Sequence, residues 1–104
     1  MRVESDQMHD WSLLGVMVTW HAGLVQLDVS LKPGEICRVI ARDFRKVEVL
    51  RYQEWRPSES IMTHVGPDQY KGDLWRLFIL MQTGDSIEII AREIEMPETM
   101  NSAR

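Results

Sequence analysis

Residues 24–31 read Leu24-Val25-Gln26-Leu27-Asp28-Val29-Ser30-Leu31. Val25, Leu27, Val29 and Leu31 fall on one side of an extended chain, and Gln26, Asp28 and Ser30 on the other. Strand side chains alternate between faces, so this period of two predicts a strand with one buried and one wet face. The stretch just before it, Leu13 to Trp20, is rich in Val, Met and Trp, residues that suit strands. His21-Ala22-Gly23 joins the two, and Gly23 can take the positive φ that a short hairpin loop requires. Leu13–Leu31 is therefore expected to be a hairpin.

Beyond it, Lys32-Pro33-Gly34-Glu35 has the form of a type II turn, with Pro at its second position and Gly at its third. Ile36–Arg42 reads as a third strand and Val47–Gln53 as a fourth. Asp43-Phe44-Arg45-Lys46 joins them as a loop or as a bulged continuation. The pattern breaks at Trp55-Arg56-Pro57-Ser58-Glu59-Ser60, where Pro57 drives Arg56 out of helical dihedrals. A bend and a short edge strand, Ile61–Val65, are expected there. Gly66-Pro67-Asp68, Gln69-Tyr70 and Lys71-Gly72-Asp73 carry loop signals.

Leu74–Gln82 then sets Trp75, Leu77, Ile79 and Met81 on one face, and Ser86–Glu95 sets Ile87, Ile89 and Ala91 on one face. Thr83-Gly84-Asp85 is a tight glycine-containing turn, so Leu74–Glu95 is a second hairpin. No segment shows helical periodicity beyond two turns. The expected fold is all-β: an antiparallel, six- or seven-stranded small sandwich or partly closed barrel built from hairpins. It is read as one domain over 1–104, with an ordered core over 9–96 and a flexible tail at 97–104. The expected core is Leu13, Val18, Trp20, Val25, Leu27, Val29, Val39, Val47, Val49, Trp75, Leu77, Ile79, Ile87 and Ile89.

Composition narrows the function. The 104 residues are 44% apolar and 27% charged, as in a globular protein. The net charge of −4 argues against a general nucleic-acid binder. The charge is uneven, however: residues 32–56 hold seven bases and four acids, and the flanks are acidic. Cys37 is the single cysteine, so no disulfide or Cys-based metal framework is expected. Alternation places it with Val39 and Ala41, as a buried and inert thiol. Neither a basic-then-apolar leader nor an apolar run of membrane length occurs, which predicts a cytoplasmic protein with no membrane association.

Few residues point to chemistry. His9-Asp10 could pair a base with a carboxylate, but neighbours on an extended chain face opposite ways, so Asp10 is read as a turn residue. His9, His21 and His64 have no metal-ligand spacing. No catalytic residue, metal or cofactor is expected. Arg38 and Arg42 share a strand face, Arg51 is expected on the next strand, and Tyr52 and Trp55 lie nearby; basic and aromatic residues in that combination hold anions or single strands. The candidate ligand or partner site is therefore Arg38, Arg42, Arg51, Trp55, Arg56, Ser58 and Ser60.

His9-Asp10 with Leu13-Leu14, Val18 and Trp20, then Trp55-Arg56-Pro57-Ser58-Glu59-Ser60-Ile61, then Met81-Gln82-Thr83-Gly84-Asp85 together resemble a group of small bacterial β-rich proteins. In that group an HD opening, a WGPSxSI centre and an MQSGD hairpin recur. Arg56 stands here in place of the group's glycine. The resemblance covers most of residues 9–95 and brings no assigned activity. A likeness of type, not of motif, is to the β-rich immunity proteins that neutralise partner toxins in bacteria. The reading is a non-enzymatic protein-interaction domain, immunity-like, with a protein partner or self-association. The alternative is a small-ligand or anion-binding domain using the basic middle segment and the Trp55–Ile61 bend.

Overall fold

The alternating segments pair as neighbours in one antiparallel sheet. The computed structural model describes residues 4–5, 8, 10–32, 34–51 and 60–97. Its strands are β1 Glu4–Ser5, β2 Ser12–Thr19, β3 Leu24–Lys32, β4 Glu35–Leu50, β5 Ile61–Gln69, β6 Trp75–Met81 and β7 Ser86–Glu95. They lie in the order β1-β5-β6-β7-β4-β3-β2, with every neighbouring pair antiparallel. The fold is all-β, and the described residues contain no helix.

The expected third and fourth strands are one strand. Asp43 takes a φ of 55° and the register with β7 shifts between Phe44 and Lys46, so an extra residue bends the strand without ending it. The first part of β4 pairs with β3, from Lys32↔Glu35 to Leu24↔Arg42. The later part pairs with β7, from Ile40↔Glu95 to Leu50↔Ser86. Bending at Asp43 turns one half of the sheet over the other. The sheet curls until its far ends meet, with Ser12 bridged to Ser60, and does not close into a barrel.

The concave face holds the core. Val25, Leu27 and Val29 of β3, Val39 and Ala41 of β4, Leu77, Ile79 and Met81 of β6, and Ile87, Ile89 and Ala91 of β7 are buried there. Met8, Trp11 and Ile61 complete the same cluster from the seam between the sheet's ends. Leu13 and Val47 are partly buried against it. Four residues expected in the core are exposed instead: Val18 (46%), Trp20 (78%), Val49 (47%) and Trp75 (41%). Val18 and Trp20 belong to the outermost strand and its hairpin tip, where the concave face runs past the core without a covering layer. Trp20 touches Phe44 edge-on, with centroids 5.9 Å apart. Val49 and Trp75 sit near the ends of their strands.

Gly66-Pro67-Asp68, read as loop, lies inside β5, at a register shift between Val65 and Asp68. Proline is tolerated within a sheet at such irregularities. Gly66 has a φ of 96°, and a Cβ there would sit 2.8 Å from the Asp68 nitrogen and closer still to the Arg76 carbonyl oxygen. Gly15, by contrast, has open space around it. Gly66→Ala is therefore expected to cost about 2 kcal/mol or more, whereas Gly15→Ala should change stability by less than about 0.5 kcal/mol. Urea unfolding of the two variants against the parent measures both.

Candidate functional site

The described candidate arginines, Arg38, Arg42 and Arg51, lie along β4 and just past its end and do not converge. Arg38 faces its cross-strand neighbour Asp28, with Nε 3.1 Å from Oδ1. Arg42 reaches across to Glu95, with Nη1 3.0 Å from Oε1. Four strand residues separate them by about 13 Å, too far to share one small anion. Arg51 follows the end of this same strand rather than lying on a neighbour, and lines a cleft of about 40 Å³ beside Leu13, Val49 and Ile87. Ser60 forms the bridge to Ser12. Trp55, Arg56 and Ser58 lie outside the described residues.

Acids match the bases elsewhere too. Asp43 pairs with Arg45 and Arg92, and Arg92 also with Asp73. Glu88, with a side chain 13% exposed, takes both Lys46 and Arg76. The hydrogen bond from Lys46, with help from Arg76, holds the Glu88 carboxyl below its usual range, and Glu88 in turn raises Lys46. A wider cleft of about 520 Å³ runs past Arg42, Pro67, Trp75, Arg92 and Ile94. Both of its guanidinium groups are already engaged by carboxylates. Exposed ion pairs are worth only about 0–1 kcal/mol. Their effect here is to cancel the positive field an anion site needs.

Asp10, Ser60-Ile61 and the Met81–Asp85 hairpin, far apart in sequence, do meet. Asp10 has a φ of 69°, and the Trp11 N–H donates to the Met8 carbonyl 3.0 Å away, closing a tight turn. The Asp10 N–H donates to the Ile61 carbonyl, and the Ile61 N–H to the Trp11 carbonyl, each at 2.8 Å. Two residues thus face one, with the first in the left-handed region: a bulge of the kind usually built on glycine. Gln82 locks this turn from the other side. Its amide nitrogen donates to Asp10 Oδ1 at 2.6 Å, and its backbone N–H to the Ser60 carbonyl at 2.9 Å. Asp85 closes the adjoining hairpin: its carbonyl accepts from the Met81 N–H at 2.8 Å, and its carboxylate from Thr83 Oγ1 at 3.2 Å. Asp10, Ser60-Ile61 and the Met81–Asp85 hairpin are a clasp that holds the two ends of the sheet together.

The histidines do not form a catalytic arrangement among the described residues. His21 is exposed at a hairpin tip, and His64 is buried in β5 at 2% exposure. His9 lies outside the described residues. His64 Nδ1 sits 3.2 Å from the Gly66 carbonyl, which makes it the donor of the neutral ring. Nε2 finds no partner among the described residues. Burial pushes the His64 pKa down from about 6.5, opposed in part by the Gly66 carbonyl. Among the described residues no group of three His, Cys, Asp or Glu side chains is placed to hold a metal. Cys37 is partly buried against the core.

What sequence reasoning missed is how exposed β2 is. It carries Leu14 (54% exposed), Val16 (39%), Met17 (56%) and Val18 (46%), with Trp20 just beyond. The expected core takes in Val18 and Trp20 and passes over Leu14, Val16 and Met17. The telling signal was a run from Trp11 to Trp20 without a single charge. Compared with protein-family models, curated proteins and solved structures, the chain matches none.

Two outcomes are expected. Asp10→Asn keeps an acceptor for Gln82 and tolerates the left-handed region, so it should cost less than about 1 kcal/mol; Asp10→Val should cost about 2 kcal/mol or more. Denaturant titration of both variants separates the clasp from a mere surface carboxylate. For His64 the folded-state pKa lies below the unfolded one. The stability it contributes is present in full above pH 6.5 and is lost as pH falls through the lowered folded value. Unfolding free energy measured from pH 7.5 downward should therefore decline below pH 6.5, and less steeply in His64→Gln.

Proposed function

We propose that this chain is a protein-interaction domain whose working surface is the edge strand β2. The observation that carries the reading is the row of exposed apolar side chains from Leu14 to Trp20 on a sheet edge that, among the described residues, no further strand covers. Native edge strands are ordinarily shielded by charges, proline or a covering element, and β2 has no charged residue or proline. An uncovered strand of this kind gains main-chain hydrogen bonds and apolar burial together when a partner strand adds to it. An immunity-like role, in which the edge covers a toxin, is one form of this reading, supported by the resemblance of type. A cytoplasmic setting, expected from the sequence, belongs to this reading; no helix among the described residues is long and apolar enough to cross a membrane.

The anion-binding alternative has less support, because Arg38 and Arg42 are each held by a carboxylate and lie far apart along β4. Catalysis finds no constellation among the described side chains to carry it.

The expected outcome is a binding surface that fails when β2 is charged and survives when the arginines are reversed. Immobilised protein should retain a specific protein, or a second copy of itself, from native-host lysate. Val18→Lys should abolish that retention, while Arg38→Glu leaves it intact. Inorganic phosphate and nucleotides should not raise the melting temperature. Retention lost with Arg38→Glu and kept with Val18→Lys would move the site to β4.

A further inference from the structure

We infer that the partner strand is β2 of a second copy, paired antiparallel across a two-fold axis at Met17. The pairing presupposes that β2 is the interaction surface proposed above, and names what occupies it. Of the seven strands, β2 alone holds no Asp, Glu, Lys or Arg. Charges directly opposite one another across a ladder repel when alike, and a charge set against an apolar row loses its hydration. The strand that suits β2 best is therefore another uncharged, apolar one, and the chain's own β2 is such a strand.

The register follows from symmetry. Met17 is the midpoint of the exposed run from Leu14 to Trp20. A two-fold axis there sets Val16 opposite the second copy's Val18, Leu14 opposite its Trp20, and Gly15 opposite its Thr19. Val16 and Val18 lie opposite Leu27 and Val25 of β3, whose side chains are buried in the concave face. The valines of both copies therefore meet on the face that continues each core. Met17 lies opposite Gln26, on the convex face, and meets its own copy there. Gly15 has nothing within 4 Å, which leaves room for the opposing threonine.

Apolar patches of roughly 300–600 Å² are the largest on ordinary monomers, and standard interfaces take roughly 800 Å² from each partner. The side chains from Leu14 to Trp20 supply an apolar patch on both faces of the strand, with Trp20 at 78% exposure the largest element. Closed two-fold dimers use one self-complementary patch on each copy, as this strand provides.

Sedimentation equilibrium and cysteine cross-linking test the pairing. The parent chain is expected to dimerise with a dissociation constant of roughly 1–100 µM. Val18→Lys, which places lysines beside the axis, should weaken it by about tenfold or more while circular dichroism stays that of the parent. Residues directly opposite in an antiparallel ladder have Cα atoms about 4.5–5.5 Å apart, within disulfide reach. Met17→Cys in a Cys37→Ala background should therefore form a covalent dimer on mild oxidation, and Met62→Cys in the same background should not. A monomer at all concentrations, or a dimer that Val18→Lys leaves intact, overturns the pairing. A monomer that retains a different protein through β2 overturns the pairing and leaves the interaction reading standing. A monomer that retains nothing through β2 overturns both.

Discussion

Strand β4 must serve two neighbours that lie in different directions, and the rest of the structure follows from how it does so. Its first part is zipped to β3 and its later part to β7, with a short overlap at Ile40–Arg42. A straight strand of sixteen residues would hold both partners in one flat sheet, with a single apolar face open to water. The extra residue at the Phe44 shift, with Asp43 in the left-handed region, lets the strand bend through that overlap. Bending turns Val25, Leu27 and Val29 toward Leu77, Ile79 and Ile89, so that one sheet can bury its own concave face without a second layer. Asp43 also anchors Arg45 and Arg92 at the bend, which gives its exposed carboxylate two bases to satisfy.

A curled sheet has a seam, and the clasp of Asp10, Ile61 and Gln82 answers it. Among the described residues the seam is closed over Asp10–Ser12, where the turn, the bulge and the Gln82 amide supply backbone and side-chain partners together. Beyond Ser12, β2 has no described partner on its outer side. The same feature therefore explains why Met8 and Trp11 are buried and why residues from Leu14 onward are not. The clasp fixes where the sheet stops being self-sufficient. This gives Asp10, Ser60-Ile61 and Met81–Asp85 a shared physical role that each lacks alone: three short stretches, distant in sequence, satisfying one another's backbone groups.

Local patterning made the strands legible and left their surroundings hidden. Alternation in β3 and β7 identified the buried face correctly, because both strands lie inside the sheet and a slip of one residue would expose every apolar side chain. The same alternation placed Val18 and Trp20 on the concave face, which is where they are; it carried no information about whether anything lies over that face. Coverage depends on strand order, and strand order is a long-range property. The Arg38–Asp28 pair could have been read from the hairpin register, since one turn separates the residues. The Asp10–Gln82 contact joins residues 72 apart and becomes readable only once the sheet has curled. Gly66-Pro67 misled for a different reason. Both residues signal a loop in isolation, yet inside β5 they occupy an irregularity where glycine avoids the Arg76 carbonyl and proline forfeits no ladder bond that the strand requires.

The two open surfaces of the molecule ask opposite things of a partner. Arg38, Arg42, Arg45 and Arg92 of β4 and β7 are each held by a carboxylate, so a ligand that approaches must displace a carboxylate before it can use one of these arginines. Along β2 no described group has to be displaced: the exposed side chains are apolar, and among the described residues the main-chain edge gives up Ser12 to the seam. The cost of ordering is also largely met in advance, because β3 already holds β2 in extended form over its full length. A surface that is uncharged and already held in extended form gains on association from terms that ionic strength barely touches, whereas the arginine face would lose affinity as salt screens it. A contact at β2 would therefore be built from burial and strand pairing, and one at the arginines from charge that a carboxylate must first release.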